Sequence, residues 1–201
     1  MLDTISTTNE SPPERALGIP PTNEAAYGIF VHSIGSANAS IVSVLKGASK
    51  LPEQVLAYRL FQAPSMLFRD LPKELADDAV EVLRNAGLEC ETRHNDEPFT
   101  PGDTDHEVAL VIRDIQKVSA VLESLTTFLG VSPVGVRRIL NTSPAILIGR
   151  ISAATVMAIQ KRFVPLGADV DVSRTSKAQF DVFIHECSSE VRGTIQKTLG
   201  S

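Results

Sequence analysis

The sequence predicts an α+β protein. It reads as two tandem sandwiches, each with three helices on a small antiparallel sheet in the order strand, helix, helix, strand, helix, strand, followed by a partial third unit. Three observations carry this. Slid by 80 positions, the 201-residue chain matches itself without a gap, pairing Val31 with Val111, Leu45 with Leu125, Leu60 with Leu140, Pro64 with Pro144, Leu67 with Leu147 and Gly87 with Gly167. Apolar spacing switches between period two and helical period in the same succession in both blocks. Proline and arginine fall at nearly matching places in "APSMLFRDLP" (63–72) and "SPAILIGRIS" (143–152).

Each element has a local reason. "GIFVHSI" and "VALVIRD" are short β-rich runs and predict the first strands. Ile41, Val44, Leu45, Ala48 and Leu51, then Val121, Leu125, Phe128 and Val131, recur at helical spacing and predict the first helices. "LPEQVLAYRLFQ" and "VSPVGVRRILNT" give second helices, with Pro52 and Pro133 where a first turn tolerates them and Ser132 as a cap. Pro64 and Pro144 end those helices, since the residue before proline is pushed from helical angles. "SMLF" and "AILI" follow as brief strands. Leu71, Leu75, Ala79, Leu83 and Ala86 predict one face of a third helix, matched by Ile151, Thr155, Ile159, Phe163 and Leu166. Gly87 and Gly167 stand where a left-handed C-terminal cap is wanted. "LECET" and "ADVDV" alternate as closing strands.

Composition sets the outer bounds. Hydrophobic content of 43% with 21% charged residues is ordinary for a globular chain. No apolar run approaches the ~20 residues that span a bilayer, so no membrane segment is expected. Two cysteines, Cys90 and Cys187, supply neither a disulfide framework nor metal spacing, and a cytoplasmic location is the default. The predicted organisation is a Pro-rich disordered leader (1–24), a first domain (25–93), a linker (94–106), a second domain (107–173) and an incomplete third unit (177–201) of strand plus helix.

The block from Gly130 to Val172 resembles the C-terminal domain of the bacterial ribosomal stalk protein. The resemblance rests on Gly130-Val131, Val136-Arg137 with Ile139-Leu140, Ser143-Pro144, Ser152 and the run from Gly167 to Val172. The first block repeats it more loosely through Ala63-Pro64 and Gly87-Leu88-Glu89, and "FDVFIHE" (180–186) resembles the way that family begins its domain. The ClpS adaptor shares the fold, so the resemblance implies a scaffold for binding proteins rather than a reaction. In the stalk domain the first two helices carry a small basic face that captures translational GTPases. Those positions fall here on Glu123, Thr126 and Arg137, and on Ser43, Lys46 and Ala57, so each block keeps one cation of three. Residues 1–24 carry no helical dimerisation domain or Ala-rich hinge. The departures point to the same domain put to another use.

Function is therefore expected to be non-catalytic protein interaction. Lys46, Lys50, Tyr58 and Arg59 are the exposed candidates on the first pair of helices, Glu123, Arg137 and Arg138 on the second. Binding of a protein partner or self-association is expected, and no small-molecule substrate or cofactor. The alternative is nucleic acid on Arg137, Arg138, Lys161 and Arg162, since residues 105–176 carry a net charge of +2 and residues 25–96 one of −2. The total of −5 argues against a general affinity for polyanions. His32 and His185 sit inside first strands and suit structural roles. His94 and His106 bracket the linker beside Asp96 and Asp105, an arrangement that clips a metal only if the linker loops back; solvated linker residues are the simpler expectation, and no metal is assigned. Cys90 alternates inward as an inert thiol, and Cys187 lacks a His–acid partner set. The terminal strand and helix cannot bury an apolar face alone. They belong to a longer protein, dock on an earlier unit, or are completed by another chain.

Overall fold

A computed structural model describes residues 26–142, 145–177 and 188–199. In chain order its elements are β1 (Tyr27–Ser33), α1 (Ser40–Ala48), α2 (Glu53–Phe61), β2 (Ser65–Leu71), α3 (Lys73–Asn85), β3 (Glu89–His94), β4 (His106–Ile112), α4 (Val118–Leu129), α5 (Pro133–Leu140), β5 (Ile146–Ile151), α6 (Ala153–Phe163), β6 (Ala168–Arg174) and α7 (Ser189–Leu199). The described residues thus form a mixed α+β fold of seven α-helices and two three-stranded antiparallel sheets, ordered β2-β1-β3 and β5-β4-β6. Among them no single helix is long and apolar enough to cross a membrane. The expected stop at Pro144, the strand "FDVFIHE", His185 and Cys187 lie outside the described residues.

Local chemistry sets the element ends. The Ser132 hydroxyl accepts from the Gly135 N–H and the Ser152 hydroxyl from the Thr155 N–H, each satisfying a donor that a helix start leaves open. The Asn38 side chain does the same for the Ser40 N–H. Gly87 (φ 98°) and Gly167 (φ 84°) lead from helix to strand in the left-handed conformation, as expected.

Both second strands are bulged at matching places. Along β1 and β2 the partners step from Tyr27–Leu71 to Ile29–Phe68 and then to Phe30–Met66, so β2 holds an extra residue twice. Along β4 and β5 they step from His106–Ile151 to Glu107–Gly149 and from Val108–Ile148 to Ala109–Ile146, leaving Arg150 and Leu147 as the extras. Asp70 (φ 58°) and Arg150 (φ 59°) adopt the left-handed region that a bulge of this kind usually fills with glycine.

The ladder also corrects the ungapped match. Val31 is buried and pairs with Cys90, whereas Val111 is 44% exposed and pairs with Asp169; it is Leu110, buried, that pairs with Val170. In its ladder Leu110, not Val111, thus holds the buried position that Val31 holds in the other sheet. Two helix faces differ from expectation as well. In α1 the core side is Ile41, Val42 and Leu45, and Val44 faces out. In α3 it is Ala76, Val80 and Leu83, while Leu75 is exposed and Leu71 belongs to β2. α3 starts after Pro72, two residues later than the pattern implied.

The two sheets share one continuous cluster of buried side chains. Phe128 of α4 stands edge-on to Phe61 of α2 and to Phe163 of α6, with centroids 6.5 and 5.7 Å away. The Phe61 carbonyl, at the end of α2, accepts from the Ser152 N–H (3.1 Å) and the Thr155 hydroxyl (2.9 Å). Between β3 and β4 the chain passes close to this joint at Gly102. The Gly102 N–H donates to the Pro64 carbonyl, and a Cβ there would lie 2.7 Å from the Ala63 oxygen. Phe99 packs edge-on against Phe30 at 5.1 Å, with the Arg93 guanidinium 4.4 Å from the Phe30 centroid, so the Phe30 side chain is covered.

Candidate functional site

The predicted contact residues of the first helix pair divide by role. Lys46 is exposed on α1 and pairs with Glu53 of α2 at 3.3 Å, an exchange worth little in water. Lys50 is exposed in the turn between the helices, and Tyr58 is 61% exposed on α2. Arg59 is half-buried: its Nη1 donates to the Leu67 carbonyl at 2.8 Å, and its own carbonyl accepts from the Ser65 hydroxyl at 2.6 Å. It ties α2 to the bulge of β2.

The second helix pair borders a groove of about 730 Å³. Val118 and Leu122 of α4 and Leu140 of α5 form its apolar wall, and Leu110–Ile112 of β4 its floor. β5 pairs with β4 only as far as Ala109–Ile146, so among the described residues Leu110–Ile112 have no ladder partner on that side. Arg137 and Asp171 place opposite charges on the lining, and Asn141 and Thr142 add amide and hydroxyl groups. Arg138 and Glu123 are exposed on the same helix pair. Val134 (77% exposed) and Ile115 (86%) leave apolar surface on α5 and on the turn before α4. An open strand edge beside an apolar wall suits an extended peptide, which gains main-chain hydrogen bonds and side-chain pockets together.

The four cations of the basic alternative do not share one condition. Arg137, Arg138 and Lys161 are exposed. Arg162 is spent in the joint between the sheets: Nη1 donates to the Ala37 carbonyl at 3.0 Å, Nη2 to the Ser36 carbonyl, and the guanidinium lies 5.0 Å over the Phe128 ring. Burial lowers its pKa from the ordinary arginine value. Nothing in residue order marks this use, because Arg162 follows Lys161 in a last helical turn where both read as solvated charge.

The histidines separate too. His32 pairs with Glu91 at 3.3 Å across β1 and β3, and His94 pairs with Asp96 at 3.6 Å. His106 is buried at the start of β4 beside Asp105. Cys90 is buried, and burial pushes its thiol up to about 11, with Arg84 opposing, so it has no thiolate character near neutral pH. Comparison with protein-family models, with curated proteins and with solved structures finds no match to the chain.

Proposed function

We propose that the chain is a non-catalytic protein-interaction or scaffold module, built from two stalk-like α+β units and acting in a larger assembly. The observation that carries this reading is the groove between α4, α5 and the open edge of β4, where Arg137 stands among apolar side chains with Val134 exposed nearby. An extended segment with an acidic residue near an apolar one fits it best. The duplicated origin draws support from the bulges: Asp70 and Arg150, 80 positions apart, share an unusual left-handed backbone, as do Gly87 and Gly167.

The test compares wild type with Val134→Asp/Arg137→Glu in affinity capture from the cells that make the protein, with quantitative mass spectrometry. Partners of the groove drop out of the variant's eluate. Equal recovery by both proteins removes the groove as the site. Light scattering over a concentration series separates self-association from a foreign partner. The alternative, nucleic acid on Arg137, Arg138 and Lys161, predicts affinity that falls steeply with salt and disappears in Arg137→Glu/Arg138→Glu. It is the weaker reading because Arg162 is engaged within the molecule.

A further inference from the structure

We infer that Asp103, Asp105 and His106 form a binding site for a divalent transition cation such as Zn²⁺, with Arg174 as the resident cation that the metal displaces. The carboxylates of Asp103 and Asp105 and the imidazole of His106 each offer a donor atom, and these lie within 4.8 Å of one another. An acidic pair alone is ordinary surface. What distinguishes this one is the buried imidazole: the His106 side chain is 8% exposed, and its Nδ1 has no hydrogen-bond partner among the described residues. Nδ1 points at Oδ1 of Asp105, 3.6 Å away, which is likewise buried without a hydrogen-bond partner. That spacing is too long for a hydrogen bond. It is close to the roughly 3.4 Å between two ligands held at about 2.1 Å on a tetrahedral ion.

The surroundings supply the outer contacts a metal site needs. The Ser176 hydroxyl donates to the other oxygen of Asp105, and the Thr175 N–H and hydroxyl donate to the Asp105 carbonyl at 2.9 and 3.2 Å, so this residue is fixed in place. Arg174 bonds the remaining groups. Its Nη2 lies 3.1 Å from Oδ2 of Asp103, its Nε donates to Nε2 of His106 at 3.1 Å, and Nε is 3.7 Å from Oδ1 of Asp105.

That last arrangement dictates how a metal enters. While Nε2 accepts from Arg174, the single ring proton of neutral His106 resides on Nδ1. A cation takes the Nδ1 lone pair, so the proton moves to Nε2, which then faces the Arg174 N–H and repels it. Metal binding and the Arg174–His106 bond are therefore mutually exclusive. The bound ion joins the end of segment 95–105 to the start of β4, and it releases the end of β6, where Arg174 sits. The inference stands independently of the groove.

The test is zinc chloride titrated into the full chain in chelator-treated buffer, read by calorimetry and thermal denaturation. One equivalent binds, and Tm rises with the logarithm of free Zn²⁺. Asp103→Asn, at an exposed side chain, weakens binding at least tenfold, and Arg174→Gln tightens it severalfold. On Zn²⁺ addition the ¹⁵N resonance of His106 Nδ1 moves rather than that of Nε2, a readout that does not depend on any variant folding. The inference fails if millimolar Zn²⁺ leaves Tm and the His106 signals unchanged. It fails equally if Asp103→Asn binds as wild type does, since Asp103 is then no part of the site.

Discussion

The guanidinium of Arg162 lies 5.0 Å over the ring of Phe128, held there by the carbonyls of Ala37 and Ser36. One side chain of α6 thus reaches the loop after β1 across the aromatic joint. Arg162→Ala removes the cation–π contact and leaves two carbonyls without donors, a loss of about 1–3 kcal/mol. Arg162→Lys restores only part of it, because an ammonium cannot span two carbonyls with a planar fork. Urea denaturation of the three proteins checks the order.

The bulge in β5 predicts the opposite sign. Arg150 holds φ at 59°, a conformation costing an L-residue roughly 1–2 kcal/mol, while glycine gives back about 0.5–1 kcal/mol in unfolded-state entropy. Arg150→Gly therefore leaves stability unchanged or raises it by up to about 1.5 kcal/mol. Arg150→Val, whose branched side chain fits that region worst, lowers it. Differential scanning calorimetry separates the two.

Cys90 is protected by the fold itself. Its Sγ faces the Val80 carbonyl at 3.9 Å in a buried strand position, and its raised pKa leaves almost no thiolate at pH 8. In a Cys187→Ser background, iodoacetamide leaves the native protein unlabelled and reacts fully in denaturant. Prompt labelling without denaturant would show that β3 opens.

Glu97 sets a pH dependence. Its hydrogen bond to Arg93 holds the carboxyl below the usual glutamate value, and Arg93 in turn covers Phe30. A depressed carboxyl stabilises the fold above its unfolded pKa of about 4.3 and loses that contribution as pH falls through the folded value. Glu97→Gln therefore lowers Tm slightly at pH 7 and makes no difference near pH 2, with the gap closing below about pH 4.

Much of the fold was legible because its signals are local. Ser132 and Ser152 cap where their side chains reach a nearby N–H, and Gly87 and Gly167 turn where only glycine is unstrained. The misread faces fail for a tertiary reason. Val42 and Val44 have equal propensity, and the approach of α1 to the sheet alone decides which is buried. The bulge at Leu67 places three successive residues of β2, Met66 to Phe68, in buried positions, which strict alternation does not allow. Of the candidate site, exposure of Lys46, Tyr58 and Arg138 was readable. The engagement of Arg59 and Arg162 was not, because their acceptors are backbone carbonyls on other elements.

The two donors on the Phe61 carbonyl bear on synthesis as well as on packing. α2 is complete by residue 61, but Ser152 and Thr155, which satisfy its final carbonyl, emerge from the ribosome some ninety residues later. At translation rates of about 5–20 residues per second the nascent first half spends several seconds with that group and the adjoining apolar surface open. The interval is a window for chaperones, and it closes when α6 arrives.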